Sequence, residues 1–270
     1  MIFFSKTSNT FLSSAKIIRC SLITFLLIVF SFTLQDSFAQ KKNAVFKTGE
    51  RLTYKVKFGF IKLGTLIIET GAPQDGHHIK TRLKFWSAQV PFLDTKDVVD
   101  DVIDTSAVCL MRFEEHGYDG EKKMNRTFFY DPAARTISYS DATVKNRIIT
   151  DVRPFSDALT LFFNLREWNG SNARYYFPLR GHEGEKLVNC FFSRQEKEQD
   201  CPAFEDKEIQ TYIVDGLAAM GDNAPLGASG KFTAYITKDA AAIPIRIDMK
   251  IAIGSISLIL DKAERPGWQP

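Results

Sequence analysis

The chain has 270 residues, 44% hydrophobic and 13% aromatic, with Lys+Arg 35 against Asp+Glu 32. That is a globular composition, and it excludes a disordered, collagenous or many-spanning membrane chain. Lys6, Lys16 and Arg19 against Asp36 carry most of the formal +3. The remainder, about +1, gives no charge-driven affinity for nucleic acid or anionic lipid from the overall balance.

The N-terminus sets basic residues before an apolar stretch from Ser21 to Leu34. Ser37-Phe38-Ala39 then supplies small residues at positions −3 and −1 of a cut before Gln40. That order of parts predicts a secretory signal peptide over 1–39 and an exported mature chain. The stretch is short of the roughly 20 apolar residues that a spanning helix needs, and nothing later is longer. The mature chain, 40–270, is therefore expected to form one β-rich domain with no transmembrane segment. Neither G-x-x-x-x-G-K-[ST] nor G-x-G-x-x-G occurs, and no cofactor is expected.

From residue 52 onward the dominant pattern has period two, which places alternate side chains on one sheet face. Leu52, Tyr54, Val56, Phe58 and Phe60 alternate with Thr53, Lys55, Lys57 and Gly59. Ile79, Thr81, Leu83 and Phe85 alternate with His78, Lys80, Arg82 and Lys84. Strands with one face in the core and one in water belong to antiparallel sheets. Pro73–Gly76, Tyr118–Glu121, Asp131–Ala134 and Gly254-Ser255 read as hairpin turns. About a dozen strands are expected on this punctuation. Over 156–168 the period changes. Ser156 is suited to cap a helix, Asn169-Gly170 to end it, and Ala158, Leu159, Leu161, Phe162, Phe163, Leu165 and Trp168 surround its axis. A helix that is apolar all round is buried all round. The fold predicted is mainly β, a curved antiparallel sheet or half-open barrel wrapped around this one helix. Asp215–Gly230 reads as a long loop. Ile243, Ile245, Ile247, Met249, Ile251 and Ile253 form the most regular strand, with Pro244 at its start or on a sheet edge.

Candidate chemistry is sparse. Asp94, Asp97, Asp100, Asp101 and Asp104 are interrupted by Val98, Val99, Val102 and Ile103 without a glycine, so they read as solvent-face acids and not as a calcium loop. His77, His78, His116 and His182 lack metal-ligand spacing, and no G-x-S-x-G elbow is present, so neither a catalytic residue nor a metal ligand is assigned. Phe85, Trp86 and Phe92 stand near a strand end, where aromatics line the mouth of a barrel cavity or pack its rim. Arg166 is the odd charge of the helix: it must snorkel out, pair with a buried carboxylate other than Asp157 or Glu167, or grip an anionic head group. Cys109 reads as a small buried hydrophobe. Cys190 and Cys201 flank a charged stretch, Arg194–Asp200, that a disulfide would close as a loop in an oxidising compartment.

Three motifs carry a resemblance. Phe46-Lys47-Thr48-Gly49-Glu50-Arg51-Leu52-Thr53-Tyr54 followed by Lys62-Leu63-Gly64, then Asp157-Ala158-Leu159 through Phe162-Phe163-Asn164-Leu165-Arg166, then Tyr235–Asp239 with Ile243–Arg246, resemble an uncharacterised family of exported Gram-negative proteins. The resemblance implies a periplasmic address and a fold like that of half-barrels carrying lipid or lipoprotein, and no activity. The leading expectation is a non-catalytic periplasmic protein that binds an apolar or amphipathic ligand or assists envelope assembly. The alternatives are a hydrolase of envelope polymers and a scaffold that pairs a partner along a strand edge.

Overall fold

The computed structural model describes residues 44–88, 94–142, 144–154, 156–167, 173–178, 185–191, 196–218, 230–251 and 254–268; for 119, 173–178, 185–191, 196, 217–218 and 230 only the backbone is described. The expected signal peptide lies outside these residues. Ala44–Pro270 is one compact unit. No helix among the described residues is long and apolar enough to cross a membrane.

The chain begins as a meander: β1 (Arg51–Phe58), β2 (Ile61–Pro73), β3 (His78–Ser87), β4 (Thr95–Asp104), β5 (Cys109–Asp119), β6 (Lys122–Asp131), β7 (Thr136–Ser140) and β8 (Arg147–Ile149). The helix α1 (Ala158–Arg166) follows. The second half supplies β9 (Ala173–Pro178), β10 (Glu185–Phe191), β11 (Glu196–Cys201), β12 (Lys207–Ala218), β13 (Gly230–Thr237), β14 (Pro244–Lys250) and β15 (Ser255–Glu264). All fifteen strands join one antiparallel sheet, in the order β8 through β1, then β15, β14, β13, β12, β10 and β9, with β11 also on β12. The first and last strands thus lie side by side, Leu52 opposite Ala263 and Tyr54 opposite Leu260. The order runs from β8 to β9 without joining them, so the sheet is open among the described residues.

Period-two reading holds at the strands that carry it. Leu52, Tyr54 and Val56 are buried, as are Ile79, Thr81 and Phe85, and Ile243, Ile245 and Ile247. Pro244 opens β14 and donates no ladder bond there. The four turns expected from composition all join adjacent strands. Three expectations need correction, the first being the loop Asp215–Gly230: Asp215–Ala218 belong to β12 and Gly230 opens β13. Phe60 does not continue the buried face of β1: it sits at the hairpin tip, 93% exposed. The acidic run is not wholly on the solvent face, because Asp101 shares the parity of Val99 and Ile103 on β4 and is buried with them.

The helix is shorter than 156–168. Asp157 is its N-cap, accepting from the Thr160 N–H at 2.8 Å, and Glu167 its C-cap. Ser156 is buried instead, accepting a hydrogen bond from Asn164 Nδ2 at 3.0 Å. Trp168-Asn169-Gly170 lie outside the described residues. All helical residues except Ala158 are buried. Phe163 stacks on Phe46 with ring centroids 4.8 Å apart, and Phe162 meets Tyr54 edge-on. The helix runs across the strands: Asp157 reaches Asp101 on β4, while Arg166 reaches Glu50, which extends β1 by one residue. Nine helical residues rise about 13.5 Å, and three strand spacings cover about 14 Å. The two lengths agree.

Candidate functional site

The antiparallel meander gives the sheet two different ends. One holds the starts of β1 and β3 and is closed by α1. Its inner face carries a cross-strand row of buried polar residues, Glu50, Thr70, Thr81 and Asp101. Arg166 donates to both Glu50 oxygens at 2.6 and 2.9 Å and to the Ala241 carbonyl at 3.0 and 3.2 Å. Arg265 pairs with the same carboxylate. The Arg166 guanidinium also lies 5.4 and 5.5 Å from the Phe162 and Phe163 ring centroids. Every donor face of this side chain is committed inside the protein, so it is not free to grip a ligand head group. At the other end of the row, burial first, then the charge of Asp157 and a hydrogen bond to it, push the Asp101 pKa well above the usual carboxylate range. Among the described residues no N–H or O–H donates to either Asp101 oxygen, consistent with a protonated Asp101 that itself donates to Asp157. Among the described residues the buried Thr70, Thr81 and Thr160 hydroxyls also find no hydrogen-bond partner.

The opposite end, where β1, β3 and β14 finish, is lined by apolar side chains. Val56, Leu63, Phe85 and Ile256 form a buried cluster, and Phe58, Ile61, Leu66, Met249, Ile251 and Leu258 pack on it while remaining partly open to solvent. The β14–β15 hairpin tip rests on β1: a Cβ at Gly254 would stand 2.9 Å from the Phe58 ring, and Gly254 has φ +88. Only glycine gives both the turn and the approach. Toward β4–β6 the inner face turns polar, with the buried pair Glu115–Arg126 in cross-strand register, and Arg126 6.0 Å from the Phe113 ring centroid. That pair shares a cross-strand row with Leu52, Ile68, Leu83 and Val99, next to the Glu50–Asp101 row, so the open end itself is lined by the apolar wall.

Of the sequence-derived residues, Phe85 belongs to this open end and Trp86 does not. Neighbours on a strand point to opposite faces, and Trp86 stands in register with Thr65 and Lys96 on the outer one. Phe92 lies outside the described residues. The disulfide is corrected. Cys201 is a free, buried thiol. Cys190 pairs in register with Gly216, and Cys201 with Lys207, along the same strand β12. Those positions are about 30 Å apart at ~3.3 Å per residue, beyond any disulfide. The stretch before Cys201 is strand β11 from Glu196 on, not a loop. Cys109 is buried as expected, and burial pushes its thiol, like that of Cys201, up to about 11. His116 is exposed opposite Val98 and Asn125, and His78 pairs with Asp75 at 2.7 Å; His182 lies outside the described residues. Sequence reasoning missed Glu50 and Asp101.

Comparison with known proteins agrees with this architecture. A family model described as a protein of unknown function (DUF3108) matches residues 53–261. No curated protein matches the chain. A β-barrel-like protein of a domain of unknown function, DUF1849, from Brucella abortus superposes with TM-score 0.53 at 10% identity, covering 83% of this chain and 100% of that one. That likeness is one of fold. A hypothetical protein of Chlamydia trachomatis (TM-score 0.36, 8% identity, 84% and 92% covered) is more distant. So is an exported protein of YmcC-like fold from Bacteroides fragilis (TM-score 0.31, 13% identity, 81% and 97% covered).

Proposed function

The chain belongs to a family of proteins of unknown function (DUF3108), and on that footing we propose that it is an exported, non-catalytic protein that takes an amphipathic, lipid-like ligand at the open end of its half-barrel. The observation that carries the reading is the partly solvent-open apolar wall of Phe58, Ile61, Leu66, Met249, Ile251 and Leu258. Leaving such a set unburied in a folded chain costs stability, since each buried methylene contributes about 0.8 kcal/mol. An aliphatic chain laid against that wall recovers the burial. A wall that stays partly open to solvent leaves the other end of its ligand in water, which is why the ligand is amphipathic and not a plain hydrocarbon. Clefts that are mostly apolar with a few fixed polar groups are the ordinary form of such sites.

The test is organic extraction of protein purified from the envelope of its own cell, followed by mass spectrometry. One co-purifying amphiphile per chain is expected. Absence of any such molecule, together with no saturable uptake of a fluorescent fatty acid, contradicts the reading. A second reading, strand-edge pairing with a partner protein, draws on one observation. The short edge strand β8 carries Ile148, 65% exposed, and β6 carries Phe129, 56% exposed, and both are in register with Ser138. Crosslinking at Ile148 that captures no partner strand removes it.

A further inference from the structure

We infer that the rim of the open end is a docking surface for an anionic phospholipid bilayer. Phe60 stands at the tip of the β1–β2 hairpin, 93% exposed. Among the described residues the strand ends here carry Lys57, Lys62, Lys96, Lys122, Lys123 and Lys250 against three acids, Asp94, Asp119 and Glu121. Two approaches join strand ends along this edge: the Gly120 N–H donates to the Asp94 carbonyl at 2.7 Å, and Gly254 sits against the Phe58 ring.

The lysines of the rim differ from those of the wall. On the outer wall, Lys55 pairs with Asp261 at 2.5 Å, Lys84 with Glu69 at 2.8 Å and Arg82 with Asp100 at 2.7 Å. Among the described residues none of the six rim lysines makes an ion pair. Two of them, Lys57 and Lys62, are direct cross-strand partners beside Phe60, an arrangement of like charges that destabilises a sheet. A second cross-strand row sets the half-exposed Tyr118 between Lys96 and Lys123. Folding gains nothing from an exposed phenyl ring ringed by unpaired cations. A negatively charged interface satisfies both: the cations meet lipid phosphates, and the aromatic tips enter the head-group region. Docked in this way, the apolar wall opens toward the membrane. The inference does not rest on ligand uptake, because the rim residues are distinct from those that line the interior.

The test is co-sedimentation of the chain from Gln40 onward, which holds the whole compact unit Ala44–Pro270, with phosphatidylglycerol or phosphatidylcholine vesicles. Binding to phosphatidylglycerol at low salt is expected, at least about tenfold weaker to phosphatidylcholine, and lost near ~0.5 M salt, where screening is nearly complete. Phe60→Ser is expected to weaken it by roughly tenfold through loss of the inserted ring, and the pair Lys57→Glu with Lys62→Glu by at least roughly thirtyfold, each with unchanged circular dichroism. Equal binding to both lipids, no binding to either, or variants that bind like the parent overturns the inference. Fluorescent fatty-acid titration of the same variants separates the two proposals, since it reports the interior and not the rim.

Discussion

The two ends of this half-barrel are built on opposite rules. At the closed end the helix buries Leu159 to Arg166, and the one charged helical side chain is held by two carboxylate oxygens, a carbonyl and two aromatic faces. At the open end apolar side chains are half-covered, and among the described residues the rim lysines make no ion pair. The same sheet carries both. The contrast teaches that the helix end supplies the stability and the other end is released from that duty.

Substitutions can break that contrast. Glu50→Gln leaves Arg166 and Arg265 buried beside a neutral amide, and removal of one partner from a buried ion pair costs about 5 kcal/mol at the upper end of its range. Urea denaturation is expected to show that loss without a change in m. Phe163→Ala, in the helix core, is expected to cost about 4 kcal/mol by the same measurement. Met249→Ala, on the open wall, is expected to cost only about 1 kcal/mol, because much of that side chain is already solvated. Equal losses for Phe163→Ala and Met249→Ala would remove the distinction between the ends.

A smaller effect concerns pH. The folded Asp101 pKa is raised, by burial first, above the unfolded value of about 4. Between those two values the folded chain holds a proton that the unfolded chain has lost. Stability therefore falls as pH rises through that window and is flat below it. Asp101→Asn supplies a permanently neutral donor to Asp157, so its Tm at about pH 7 is expected to rise slightly and the fall from about pH 5 to shrink. Thermal melts across that range check the sign; a lower Tm with the pH slope unchanged contradicts the protonated Asp101.

Much of the fold was legible because its physics is local. Alternation at 52–56 and 243–247 fixed which side chains face inward, and turn chemistry fixed where strands end. Phe60 misled because it keeps the parity of Phe58, yet Gly59 takes φ +57 and ends the strand first. Asp101 was readable in principle, since it falls on the parity of Val99 and Ile103. Glu50 was not, because its partner Arg166 is 116 residues away. The cysteines misled for a related reason: residues eleven apart in sequence sit beside opposite ends of β12. The apolar wall was half visible through Phe85, while its other members come from two hairpins, β1–β2 and β14–β15, that only the β1–β15 pairing brings together.

The most direct test of the open end as the binding site is a titration of the chain from Gln40 with a fluorescent fatty acid, run beside Met249→Glu. Saturable uptake of one molecule per chain by the parent, lost by at least about tenfold when a carboxylate enters the apolar wall, is the predicted result. Uptake that Met249→Glu leaves unchanged, or none in the parent, contradicts the account.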